Sequence, residues 1–147
     1  MQVKNKNIFK FRSDCPISSA LDLIGDKWSI LIIRDLCFFG KRTFSELSLS
    51  DEKIAANILA DRLKKLEEYG ILTKGKSPEN KKTVLYTITQ KGLDFVPVIL
   101  DLVLWGARHL DSHISAEAKQ FAKKIKKDKD AVIMEVNKKL ASTGQLR

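Results

Sequence analysis

Read from the amino end, apolar positions first take helical spacing at Ile17, Leu21 and Ile24, between Pro16 and Gly25. Proline suits the first helical position because its missing N–H would be unpaired there anyway, which makes Cys15 the expected cap and Gly25 the stop. Asp26 then opens a second helix running to Phe38, apolar on nearly every side (Trp28, Ile30, Leu31, Ile32, Ile33, Leu36), as a buried central helix is. Gly40 ends it. Thr43-Phe44-Ser45-Glu46 reads as a capping box, hydroxyl and carboxylate reaching reciprocally to backbone N–H groups. It starts a short third helix with Phe44 and Leu47 inward. A fourth helix over residues 54–68 carries Leu59, Leu63 and Leu66 at i, i+4, i+7, and Gly70 terminates it.

The period then changes. Residues 71–76 and 83–89 are strand-like runs around Ser77-Pro78-Glu79-Asn80, a turn-rich quartet, and Val84, Tyr86 and Ile88 share one face of the second run. This predicts a β-hairpin with a lysine-rich tip. A long apolar helix is expected over 91–110, kinked at Pro97. Beyond Ser115, Ala118, Phe121, Ala122, Ile125, Ile133, Val136 and Leu140 predict one or two amphipathic helices, with residues 142–147 frayed. The fold class is therefore mainly α with a small β-hairpin (α+β). Three helices followed by a hairpin are the order of a winged helix-turn-helix, here with additional N- and C-terminal helices. The expected division is an N-terminal arm (1–14), the winged domain (15–111) and a C-terminal helical extension (112–147).

Composition sharpens this picture through charge. The 147 residues carry 27 Lys and Arg against 18 Asp and Glu, net +9, which favours a polyanionic partner. The excess is local. Between Arg62 and Lys82 seven basic residues face three acidic ones, and between Lys119 and Lys139 eight lysines face three. Two cysteines are too few for a disulfide scaffold or metal ribbon. No apolar run resembles a signal peptide or reaches the roughly 20 residues of a membrane span, so the cytoplasm is the expected compartment.

Helical geometry sorts the fourth helix. With Leu59, Leu63 and Leu66 inward, Asn57, Asp61 and Lys64 face away, with Ala60 beside them. Asn57 near the helix start can bond adenine bidentately. Small Ala55, Ala56 and Ala60 allow close backbone approach. Arg62, Lys64 and Lys65 suit phosphates, which position a protein without reading sequence. Asp61 repels phosphate unless it accepts from cytosine or bridges Lys64 or Lys65. Thr43 at the start of the third helix, and Lys74, Lys76, Asn80, Lys81 and Lys82 on the hairpin, complete the candidate set for double-stranded DNA. Such faces are often merely solvated, and lysines guard sheet edges against pairing. The joint order of capped helix, second helix and basic hairpin outweighs that reading.

Cys15-Pro16, the run from Ala20 to Trp28, Leu31 to Leu36, Phe44 to Leu47, Asn57 to Leu63, Tyr86 to Gly92 and Trp105-Gly106 together closely resemble the HxlR-type regulators. The resemblance covers residues 15–109. It implies a winged-helix fold, operator binding as a homodimer, dimerisation through the terminal helices, and Asp61 as a recurring variant of the recognition helix. Many members carry Ser or Thr where this chain has Ala55 and Ala56, and the extension beyond Ser115 is longer than the family pattern. Cys15 matches a cysteine that some members use to sense oxidants or electrophiles. Its expected place at a helix start, near Lys10 and Arg12, favours negative charge on sulfur, although Asp14 opposes it. A small-molecule or oxidant effector follows as an expectation; a half-buried, unreactive cap residue is the alternative.

The remaining features point elsewhere only weakly. His109 and His113, i and i+4 on the expected helix, lack a third ligand, so no metal and no cofactor are expected. Cys37 reads as an inert core residue, and Trp28 and Trp105 as core or interface anchors. No phosphate loop or nucleophile motif marks an enzyme. Val96, Ile99, Leu100, Val103, Leu104 and Trp105 give the long helix more apolar surface than one small domain covers, which predicts a symmetric dimer centred there. Two other classes compete: a basic winged helix binding protein or RNA without operator specificity, and a membrane-surface protein using its lysine-rich terminal helices. Against the latter, those helices offer Phe121 as their one aromatic anchor.

Overall fold

The computed structural model describes residues 9–146. In chain order it comprises α1 (Pro16–Ile24), α2 (Lys27–Phe38), α3 (Phe44–Ser48), α4 (Ala56–Glu68), β1 (Leu72–Lys76), β2 (Val84–Ile88), α5 (Gln90–Leu93), α6 (Val96–His109), α7 (Ala116–Lys127) and α8 (Lys129–Ser142).

The stop and start signals act largely as their chemistry requires. Asp26 caps α2, its carboxylate accepting from the N–H groups of Trp28 and Ser29 at 3.1 and 3.0 Å. Thr43 and Glu46 form the reciprocal capping box of α3. At the end of α4, Gly70 adopts φ +75°, and two backbone bonds close the turn: Gly70 N–H to Glu67 and Ile71 N–H to Leu66, both 2.9 Å. That is the glycine-dependent Schellman arrangement, with Leu66 and Ile71 both buried beside it. Cys15 occupies the cap position of α1, but its side chain bonds no helix N–H.

α2 lies at the centre, packed against α1, α4, α6, α8 and β2. Its Ile32, Ile33 and Leu36 join Leu59, Leu63 and Leu66 of α4 and Val96, Ile99 and Leu100 of α6 in one core. That core continues through Ile125, Val132 and Leu140, so α7 and α8 share it. The hairpin is antiparallel, with Leu72 opposite Ile88 and Lys74 opposite Tyr86. Its root is buried and its tip exposed, from Ile88 at 1% to Val84 at 41%.

Four expectations change. The helix over 91–110 is two: α5 ends at Leu93, and α6 begins at Val96 with Pro97 in its first turn. Proline cannot donate to the carbonyl four residues back and its ring crowds that carbonyl, so the ladder restarts instead of kinking. Phe44 is exposed, because a five-residue helix has one inward position, taken by Leu47; Phe44 looks into the gap between α4 and the hairpin, beside Ala60 and Tyr86. Residues 143–146 are not frayed, and Arg147 lies outside the described residues. Ile88 N–H donates to the Gln145 carbonyl at 3.3 Å, Leu146 pairs with Ile88, and Gln145 is buried. His113 lies beyond the end of α6, so it does not share one helical face with His109.

Candidate nucleic-acid interface

The outer face of α4 is free of packing. Ala56, Asn57, Ala60, Asp61, Lys64 and Lys65 are all exposed, while Leu59, Leu63 and Leu66 are at most 2% exposed on the opposite side. At the helix start Ala55 offers no side-chain acceptor to the first N–H groups. Unpaired N–H groups at the positive end of a helix dipole attract anions, phosphate among them. The α3–α4 turn that aims this helix contains Lys53 at φ +56°.

Asp61 does not stand as a free negative charge. Lys65 Nζ sits 3.2 Å from its carboxylate, and Arg62 pairs with it as well. The bond from Lys65, then its charge and that of Arg62, outweigh desolvation and hold the carboxyl below the usual range. Arg62 in turn donates through Nε to Asp26 at 2.9 Å. It therefore ties α4 to the cap of α2, and is half-buried in that role rather than extended for a phosphate.

The hairpin stands beside this face. Lys74 and Tyr86, paired in register, line a cleft with Ala60, Lys64, Glu67 and Phe44, which places a hairpin lysine next to a lysine of α4. Burial first, and then the charge of Glu67, push the Tyr86 hydroxyl pKa up. Lys76, Lys81 and Lys82 are exposed toward the tip. Asn80 has a structural task there, its side-chain oxygen accepting from the Lys82 N–H at 3.1 Å. Thr43 Oγ1 likewise accepts from the Glu46 N–H at 3.1 Å.

Two polar clusters hold this arrangement. Asp35, 2% exposed inside α2, meets Arg34 at 2.7 Å, Lys41 at 3.2 Å and the Ser50 hydroxyl; Arg34 also grips Glu52 at 2.6 Å. The first half of the α3–α4 turn, through Ser50 and Glu52, is thereby anchored to α2. The sequence signal for this cluster is the charged pair Arg34-Asp35 in an otherwise apolar run. The second is Arg42, whose carbonyl accepts from the Tyr86 N–H at 2.7 Å along the edge of β2. Nothing in local periodicity marks that residue.

The expected dimer residues divide. Val96, Ile99 and Leu100 are at most 5% exposed, covered by the chain's own core, so they offer no surface to a second copy. Val103 and Leu104 are half-buried. The open face of α6 is Val98, Leu102 and Trp105, at 47, 53 and 60% exposure, and Ile17 and Leu21 are exposed on α1. The helix is apolar on two sides, and the packing partner takes the wider one.

The cysteines contrast sharply. Cys15 is exposed; Cys37 is buried among core residues, and burial pushes its thiol up to about 12. Among the described residues no three His, Cys, Asp or Glu side chains converge to hold a metal ion. No helix there is long and apolar enough to cross a membrane.

Three helices and a hairpin, with the second helix of the turn exposed and flanked by lysines, define a winged helix-turn-helix DNA-binding protein. The HxlR-like helix-turn-helix family matches residues 23–114. The transcriptional regulator YodB of Bacillus subtilis is 36% identical over 92 residues, covering 62% of this chain and 81% of its own. An HTH-type regulator of Synechocystis, sll1512, is 34% identical over 97 residues, 66% of this chain and 71% of its own. Among solved structures, the transcription factor PA1607 superposes with a TM-score of 0.63 at 33% identity over 71% of this chain and 70% of its own. Reduced YodB superposes at 0.55 with 30% identity, covering 69% of this chain and all of its own. The chain belongs to the HxlR family of helix-turn-helix transcriptional regulators.

Proposed function

We propose that this regulator binds a pseudo-palindromic operator as a homodimer, reads bases with the outer face of α4, and responds to oxidants or electrophiles at Cys15. The observation that carries the DNA reading is the exposed Asn57 framed by Ala55, Ala56 and Ala60, on the α4 face that continues to Lys64 beside the wing's Lys74. Small side chains let the helix backbone approach the groove floor, so one amide side chain can reach the adenine N6/N7 edge. Lys64, Lys74, Lys81 and Lys82 contact phosphates; Arg62 and Asn80 position their neighbours. Asn57→Ala should weaken operator binding by about 1–3 kcal/mol and leave binding to random DNA nearly unchanged. Equal loss on every sequence in a titration at fixed salt would remove Asn57 as the base reader.

The sensing half rests on exposure. Cys15 is the exposed thiol at the start of α1, whereas Cys37 is buried with its thiol proton tightly held. Solved structures at comparable similarity include diamide-treated YodB (TM-score 0.51, 32% identity) and the redox regulator HypR in oxidised form (TM-score 0.55, 29% identity). An intramolecular Cys15–Cys37 bridge would require opening the core, which leaves pairing between subunits or adduct formation. In the paired case two Cys15 thiols give up two protons and two electrons to diamide, which becomes its hydrazine as the S–S bond forms. A shift of α1 then re-spaces the two recognition helices. Mass spectrometry after mild diamide treatment should find Cys15 modified and operator affinity changed. An unmodified Cys15, or a Cys15→Ser protein that still responds, ends this part of the reading.

A further inference from the structure

The C-terminal turn and the back of the wing enclose a cleft of about 290 Å³ that faces away from the recognition helix. Strand alternation sets its orientation. Lys74 and Tyr86 point toward α4, so their neighbours Gly75, Leu85 and Thr87 line the opposite side. The other wall comes from Thr143 and Gly144, held in place by the pairing of Leu146 with Ile88. This wall lies outside the family match, which ends at residue 114.

Arg42 reaches into the cleft. Its Nη2 donates to Thr87 Oγ1 at 3.4 Å and to the Gly144 carbonyl at 3.3 Å, both long bonds to uncharged acceptors. Its Nε is buried without a partner, and among the described residues the guanidinium meets no carboxylate. The lining contains no acid. A half-buried guanidinium with only neutral, distant acceptors is poorly compensated, and a planar oxyanion is the group that matches its fork. Leu85 and Pro78 supply apolar wall, and the volume sits at the lower limit for ligand pockets of roughly 300 Å³.

We propose that this cleft binds a small organic carboxylate, with Arg42 as its charged anchor, the Thr87 hydroxyl as a further donor and Leu85 with Pro78 against its carbon body. Because the bound molecule touches both the wing and the C-terminal turn, it links effector concentration to the pose of the wing. The site itself stands independently of how DNA is read.

The test is a titration of the full-length, ¹⁵N-labelled protein without DNA, using benzoate, succinate and inorganic phosphate separately, followed by amide NMR shifts. At least one of the two carboxylates should shift the amides of Gly75, Leu85 and Gly144 saturably in the millimolar range, leaving Asn57 and Lys64 unmoved. Arg42→Gln should weaken this by about tenfold or more. Thr143→Glu, which brings an internal carboxylate to the cleft, should do the same with the spectrum outside the C-terminal turn intact. No saturable shift up to about 10 mM overturns the proposal. So does binding that survives Thr143→Glu unchanged. Phosphate matching the better carboxylate overturns it too, since a bare oxyanion uses neither Leu85 nor Pro78.

Discussion

The Asp26 carboxylate accepts from two α2 N–H groups, from the Ser29 hydroxyl at 2.6 Å and from Arg62 of α4 at 2.9 Å. One side chain thus starts the central helix and ties α4 to it. Burial works against its charge, but the bonds from Ser29 and Arg62 outweigh it and hold the carboxyl below the usual range. The linkage sign follows. A folded-state pKa below the unfolded value of about 3.9 means the contribution is complete above that value and is lost as pH falls through the folded one. Asp26→Ala should cost about 1–2 kcal/mol near neutral pH through the lost cap alone. Denaturant midpoints of the two proteins should draw together as pH falls below about 4, and meet only once the native carboxyl is protonated as well. A gap that stays constant from pH 7 to pH 3 would show that Asp26 acts through shape and not through charge.

Among the elements, those whose ends carry their own chemistry are legible in the sequence: α2 from Asp26, α3 from the Thr43–Glu46 box, the end of α4 from Gly70. Local rules fail where tertiary packing decides. The break between α5 and α6 escapes them because Pro97 reads equally as an interior kink or a first-turn residue until the packing around it is known. The docking of Gln145 and Leu146 on β2 depends on the full length of α7 and α8, which no local window contains. Of the candidate site, the exposed stripe Asn57, Ala60, Lys64 follows from helical period, whereas the turning of Arg62 onto Asp26 needs three dimensions. The wing gives a test at this scale. Lys81 and Lys82 sit on a tip whose turn is held by backbone bonds from Ser77 to Thr83 and Thr83 to Asn80, so removing either charge leaves the turn intact. Lys81→Ala or Lys82→Ala should weaken operator and random DNA alike. Each should also flatten the salt dependence by about one unit of log K per log salt for every phosphate it no longer neutralises. A sequence-dependent loss with an unchanged salt slope would mean that the tip reads bases.

At the scale of the whole molecule, assembly depends on which apolar surface one chain leaves uncovered. The inward side of α6 is used up by α2, α7 and α8, as the near-complete burial of Val96 and Leu100 shows. Val98, Leu102 and Trp105 remain on its outer side, with Ile17 and Leu21 exposed on α1. Fully burying a side chain of this size is worth about 1.5–3 kcal/mol, so several of them, duplicated by a two-fold axis, would supply a substantial driving force for self-association. An isologous interface through α6 would place two copies of α4 in a fixed relation, which is what a pseudo-palindromic site with half-sites about 34 Å apart requires. Leu102→Asp tests this with little risk to the fold, because its side chain already faces solvent in the single chain. In a dimer it would bury an unpaired carboxylate against its own copy, a cost of several kcal/mol. Sedimentation at micromolar concentration should then give about twice the chain mass for the parent protein and the single chain mass for the variant, with the thermal unfolding of each still cooperative. Binding to a half-site should survive in the variant while the affinity gained from the second half-site disappears, since each recognition helix then finds its groove alone. A parent protein that stays monomeric, or a Leu102→Asp protein that sediments as a dimer, would put the interface elsewhere and return the outer face of α6 to ordinary solvent exposure.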